Sequence, residues 1–107
     1  MNKEQLKDLL DKLKKGLSEL YGTRLKGFYI FGSYARGTQE PESDLDVLIL
    51  LNDIDDYNAE IDCTGKLVSD LSLQYDLLIS TVFVTWKDWQ HGQNPFLRSV
   101  RRDVVAA

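Results

Sequence analysis

Leu6, Leu9, Leu10, Leu13, Leu17 and Leu20 recur at helical spacing among Lys, Asp and Glu, which predicts an amphipathic helix over Lys3–Tyr21 with one apolar stripe. Asn2 is placed to cap its start and Gly22 to end it. The apolar, aromatic run Leu25–Phe31 reads as a strand broken by Gly32-Ser33. Tyr34–Ser43, with Gly37, Pro41 and several polar residues, must hold a turn or loop. Asp44–Leu51 then reads as a second strand, apolar on both faces after its start: Leu45, Val47, Ile49 and Leu51 on one side, Leu48 and Leu50 on the other. A strand apolar on both sides belongs in the middle of its sheet.

Beyond it, Tyr57, Ile61, Val68 and Leu71 outline a second long helix within Asp53–Leu73, weakened by Thr64 and Gly65 in its middle. Tyr75–Thr85 is β-branched and aromatic enough for a third strand, and Asn94-Pro95 reads as the cap and first turn of a closing helix. Trp86–Gln93 is expected to be a connector. No repeat, low-complexity tract or linker interrupts the pattern.

Composition narrows the functional classes. The 107 residues suffice for one domain with a modest core, so residues 1–107 are read as a single domain without a separate substrate-binding unit. The 43% apolar and 28% charged content is that of a soluble globular protein, with no apolar run near the roughly 20 residues that span a bilayer. Met1–Leu20 lacks the apolar core of a signal peptide, and the single Cys63 excludes an internal disulfide. A cytoplasmic location is expected. A net charge of −4 argues against extended nucleic-acid binding, which needs many cations along phosphates. It leaves room for a small nucleotide carried with metal ions.

Asp44 and Asp46 stand two apart on a strand, so both side chains project from one face. Two carboxylates that close repel unless something positive lies between them, and a divalent cation such as Mg²⁺ suits carboxylates together with substrate phosphates. An aspartate at a strand start can also simply end the strand in solvent. Gly32-Ser33 adds weight to the metal reading: where a strand ends and a short helix could begin, backbone N–H groups and a hydroxyl are placed to hold phosphate oxygens. Gly32 lets the backbone approach a ligand closely.

Gly32-Ser33-Tyr34-Ala35-Arg36-Gly37 followed by Ser43-Asp44-Leu45-Asp46-Val47 resembles the signature of the polymerase-β-type nucleotidyltransferases, in which Gly-Ser is followed after ten residues by Asp-x-Asp. The Ala-Arg-Gly and Ser-Asp elements resemble the minimal nucleotidyltransferase (MNT) group in particular. The resemblance implies an α/β fold, a small mixed β-sheet flanked by helices. It implies transfer of AMP from ATP to a hydroxyl with two Mg²⁺ ions, on Asp44, Asp46 and a third carboxylate from a later strand. Asp76, in Tyr75-Asp76-Leu77-Leu78-Ile79, occupies the matching place, as metal ligand and acceptor of the hydroxyl's proton; a strand-edge residue in water is the bland alternative. Gly32 and Ser33 would hold the triphosphate. The MNT group further implies the antitoxin of a toxin–antitoxin pair whose partner is a helical HEPN-type ribonuclease. A pure binding module that neutralises its partner by covering it, and a small-molecule nucleotidyltransferase of the antibiotic-modifying kind, are the alternatives.

Other residues carry less. Arg36 is a candidate for phosphate and equally for an ion pair with Glu40, Glu42 or an active-site aspartate. Ser43 is expected to order the turn before Asp44. His91 has no second ligand at metal spacing, and Cys63 reads as a small packing residue. Trp86 and Trp89 read as core or rim, and Arg98, Arg101 and Arg102 as a solvated basic face near a helix end or a surface for an acidic partner. Many MNT-type chains carry Glu-Gly where this one has Arg102-Asp103.

Overall fold

A computed structural model describes all residues, Met1–Ala107. Helix α1 spans Lys3–Tyr21, and its start is a reciprocal capping box: Gln5 N–H donates to the Asn2 side chain while the Asn2 N–H donates to Gln5 Oε1. Gly22, at φ 56°, ends it and leads through a single 3₁₀ turn into β1, Leu25–Phe31. A five-residue helix α2, Gly32–Arg36, follows directly, and β2 runs Leu45–Leu51. Helix α3 spans Tyr57–Tyr75, β3 spans Ile79–Thr85, α4 spans Trp86–His91, α5 spans Pro95–Asp103, and a two-residue β4, Val105–Ala106, closes the chain.

The sheet order is β3-β2-β1-β4, antiparallel at β1/β2 and β1/β4 and parallel at β2/β3. Strand β2 is central, as its two apolar faces require. Leu45, Val47, Ile49 and Leu51 join Leu9, Leu13 and Leu17 of α1 and Leu71 of α3 in the main core. Leu48 and Leu50 pack on the opposite face against Val100 of α5, with Tyr29, Val82 and Trp89 around them. Burying one such leucine contributes about 1.5–3 kcal/mol, so this single strand anchors both layers.

Helix α3 departs from the sequence expectation in two ways. It starts at Asp56, whose carboxylate accepts from the N–H groups of Asn58 and Ala59, and its buried face carries Glu60, Thr64 and Leu71, leaving Tyr57 and Ile61 substantially exposed. A polar cluster displaced the apolar stripe: Glu60 accepts from the Tyr21 hydroxyl at 3.0 Å and pairs with Arg24 at 2.8 Å. Burial, then the Glu60 contact, pushes the Tyr21 hydroxyl well above its ordinary pKa. Cys63 is exposed rather than packed, Thr64 taking the buried position and bonding the Glu60 carbonyl. The helix also continues to Tyr75, whose hydroxyl donates to Asp8 on α1, so β3 begins only at Ile79.

The expected connector after β3 is instead helix α4. The Thr85 hydroxyl accepts from Asp88 N–H, the N-cap that starts it. Asn94 caps α5 by accepting from Leu97 N–H at 2.8 Å, with Pro95 in the first turn. Arg101 is not part of a solvated face: it donates to the Trp89 and Asp88 carbonyls and lies over the Trp89 ring, which stacks on Tyr29. Arg98 and Arg102 are exposed. No helix is long and apolar enough to cross a membrane.

Candidate active site

The end of β1 and the start of β2 meet at the pair Phe31↔Asp46. Because side chains alternate along a strand, Asp46 shares the face of Leu48 and Leu50, beneath α5, and Asp44 projects from that same face just before the strand. Gly32 opens α2 at φ 73°, a conformation that side chains other than hydrogen rarely adopt. A Cβ there would also collide with Asp46 Oδ2, so the glycine makes the space in which this carboxylate lies against the turn. The N–H groups opening α2 have no partners within the helix and face the same end of the sheet. The α2–β2 loop returns through a local turn in which Ser43 Oγ accepts from Glu40 N–H and Ser43 N–H donates to the Glu40 carbonyl, as expected of Ser43.

Electrostatics mark the pair. Partial burial raises the Asp46 pKa first, the Asp44 charge raises it further, and the Arg36 guanidinium pulls it partly back. Neither carboxylate enters an ion pair. Two adjacent, unpaired carboxylates, one half-buried, against a turn of free N–H groups fit a divalent cation that arrives with phosphate oxygens. They are too few for an all-protein metal cage.

The strand position expected of Asp76 is a correction. Asp76 is not on a strand: it is the exposed residue that ends α3, in the left-handed conformation at φ 53°, with its N–H and that of Leu77 both donating to the Ser72 carbonyl. No three His, Cys, Asp or Glu side chains gather to hold an ion. The residue beside Asp46 on the neighbouring strand is Ser80, on the same face. Nothing in the sequence singled out Ser80; only the parallel register reveals it. Asp76 lines an open cleft of about 790 Å³ with Asp8, Tyr34, Gln39, Glu40 and Tyr75, bounded by α1, the α2–β2 loop and the end of α3.

Arg36 chooses none of the partners expected on its own loop. Its Nη1 pairs with Asp103 Oδ2 at the end of α5, at 2.8 Å. The residue at which this chain departs from the MNT pattern therefore contacts the Gly-Ser motif's arginine.

The family profile for the nucleotidyltransferase domain matches residues 10–100. This chain belongs to that family. The nucleotidyltransferase is 32% identical to a putative protein adenylyltransferase of Methanocaldococcus jannaschii over 94% of its own length and 93% of the relative's. It is 33% identical to the protein adenylyltransferase MntA of Thermococcus cleftensis over 73% of its length and 77% of that chain. Among solved structures it is similar to a toxin–antitoxin with AMP-PNP, with a TM-score of 0.64 and 26% identity over 90% of this chain and 69% of that one. The mixed sheet flanked by helices is thus the nucleotidyltransferase fold, and the Gly32-Ser33 turn and Asp44/Asp46 pair stand together at one end of its sheet.

Proposed function

We propose that this nucleotidyltransferase moves AMP from ATP, as its Mg²⁺ complex, onto a hydroxyl of a partner protein, and that it acts as the antitoxin of a HEPN-type toxin. The observation that carries the chemistry is the unpaired Asp44/Asp46 couple lying against the Gly32-Ser33 turn. The two aspartates would hold the cation, and the N–H groups and hydroxyl of the turn would hold the triphosphate tail. Mg²⁺ would supply charge neutralisation on the reacting phosphate. The acceptor hydroxyl gives up its proton to a site carboxylate or to water as its oxygen attacks the α-phosphorus, the bond to the β-phosphate oxygen breaks, and pyrophosphate leaves. Such transfer rests on positioning and charge more than on a strong base.

The relatives named protein adenylyltransferases and the likeness to a toxin–antitoxin with AMP-PNP support a protein acceptor. Calorimetric titration of ATP with and without Mg²⁺ tests the nucleotide site: binding is expected only with the metal, and equal or undetectable heats in both would count against it. Label from ATP entering a HEPN-type protein, rather than this chain or an aminoglycoside, tests the acceptor.

A further inference from the structure

The Arg36–Asp103 ion pair joins two elements that are each held rigidly. Arg36 ends α2, which Gly37 closes in the left-handed conformation, with Gly37 N–H and Thr38 N–H both donating to the Ser33 carbonyl. The arginine's backbone is therefore fixed with respect to Gly32 and Ser33. Asp103 ends α5, which is fixed at its start by the Asn94 cap and in its middle by Val100 against Leu48 and Leu50. Its end is fixed by the Val104 N–H bond to the Val100 carbonyl and by β4 pairing on Tyr29 and Ile30. Arg101, two residues earlier, is tied to the α4 carbonyls. Asp103 is thus presented on a rigid arm rather than a fraying tail.

The pair is monodentate: one Nη1 hydrogen bond to one carboxylate oxygen. A guanidinium carries five N–H donors in a planar fork, so most of them stay available. Arg36 closes the five-residue helix that Gly32 and Ser33 open, and α5, whose end holds its guanidinium, packs over the face of β2 from which Asp46 projects.

We infer that Asp103 is a positioning residue that holds the Arg36 side chain over the triphosphate site, so that the C-terminal helix takes part in nucleotide binding. The inference rests on the nucleotidyl-transfer reading above and extends it to a residue outside the Gly-Ser and Asp-x-Asp motifs. An untethered arginine would have to give up rotamer freedom on binding phosphate; one held in place has already given it up.

The test separates binding from stability, using Mg²⁺·AMP-PNP as the probe for the full chain. Asp103→Asn is expected to weaken its binding about five-fold while lowering the thermal midpoint by no more than about 5 °C, since an exposed pair adds little to stability. Asp103→Glu restores the affinity. The charge swap Arg36→Asp/Asp103→Arg rebuilds the ion pair and so recovers the midpoint, yet leaves binding weak because a carboxylate now stands beside Asp46. Wild-type affinity in Asp103→Asn, tighter binding there, or recovery of both properties in the swap would overturn the inference. Failure of the unaltered protein to bind Mg²⁺·AMP-PNP would instead overturn the transfer reading, and this one with it.

Discussion

Substituting Gly32 by alanine tests the core of the site, because two separate costs fall on one added methyl group. The first is conformational. At φ 73° an L-residue is strained by about 1–2 kcal/mol, offset by the few tenths to 1 kcal/mol that alanine contributes by restricting the unfolded chain. The second is a collision with the Asp46 carboxylate, which must leave its rotamer for about another 0.5–1.5 kcal/mol. Together Gly32→Ala should destabilise the fold by about 1–3 kcal/mol and should abolish Mg²⁺-dependent nucleotide binding, since the carboxylate moves. Gly37→Ala is the matched control: its φ is 75°, but nothing lies within 4 Å of the added Cβ. It should carry the conformational cost alone and retain binding. Urea denaturation at unchanged m-value gives the stabilities, and calorimetry gives the binding. If the two variants were equally destabilised, or if Gly32→Ala bound Mg²⁺·ATP like the unaltered protein, the close approach of Asp46 to the turn would be refuted.

Asp46→Asn should raise the stability of the metal-free protein at neutral pH. The folded state raises this carboxyl's pKa, so its ionised form costs stability above that pKa, and the advantage of asparagine should shrink as pH falls through the raised pKa toward the unfolded value near 3.9; an advantage independent of pH in urea melts would contradict the cause given. Arg24→Ala removes the cation from buried Glu60 while the Tyr21 hydroxyl remains, and should cost about 2 kcal/mol in the same assay. A cost below about 0.5 kcal/mol would show that the pair is solvated like a surface one.

Much of the fold was legible because its signals are local. The Asn2/Gln5 box and Gly22 delimit α1, the Gly32-Ser33 break ends β1, and the two apolar faces of β2 announce a central strand. Helix α3 was misread where its buried face is polar: Glu60 is inside because Arg24 and Tyr21, far away in sequence, satisfy it. The same helix hid the start of β3, since Tyr75 continues it to reach Asp8 and Asp76 takes a left-handed conformation more usual for glycine or asparagine. Within the candidate site, Asp44, Asp46, Gly32 and Ser33 are nameable from motif spacing alone, and neighbouring strand ends bring them together. The contacts that no spacing reveals are the long-range ones: Ser80 beside Asp46 through parallel pairing, and Asp103 on Arg36 through the packing of α5.

The central claim is that the Asp44/Asp46 pair carries AMP transfer to a protein hydroxyl. Its most direct test is to incubate the chain and the Asp44→Asn/Asp46→Asn double variant with α-labelled ATP, Mg²⁺ and a HEPN-type toxin, then follow the label into protein and map it by mass spectrometry. The account predicts AMP on a hydroxyl side chain of the toxin with the unaltered chain, and none with the double variant although that variant remains folded. Label that persists in the double variant would contradict it, as would a tight complex of the unaltered chain and toxin with no AMP on either protein.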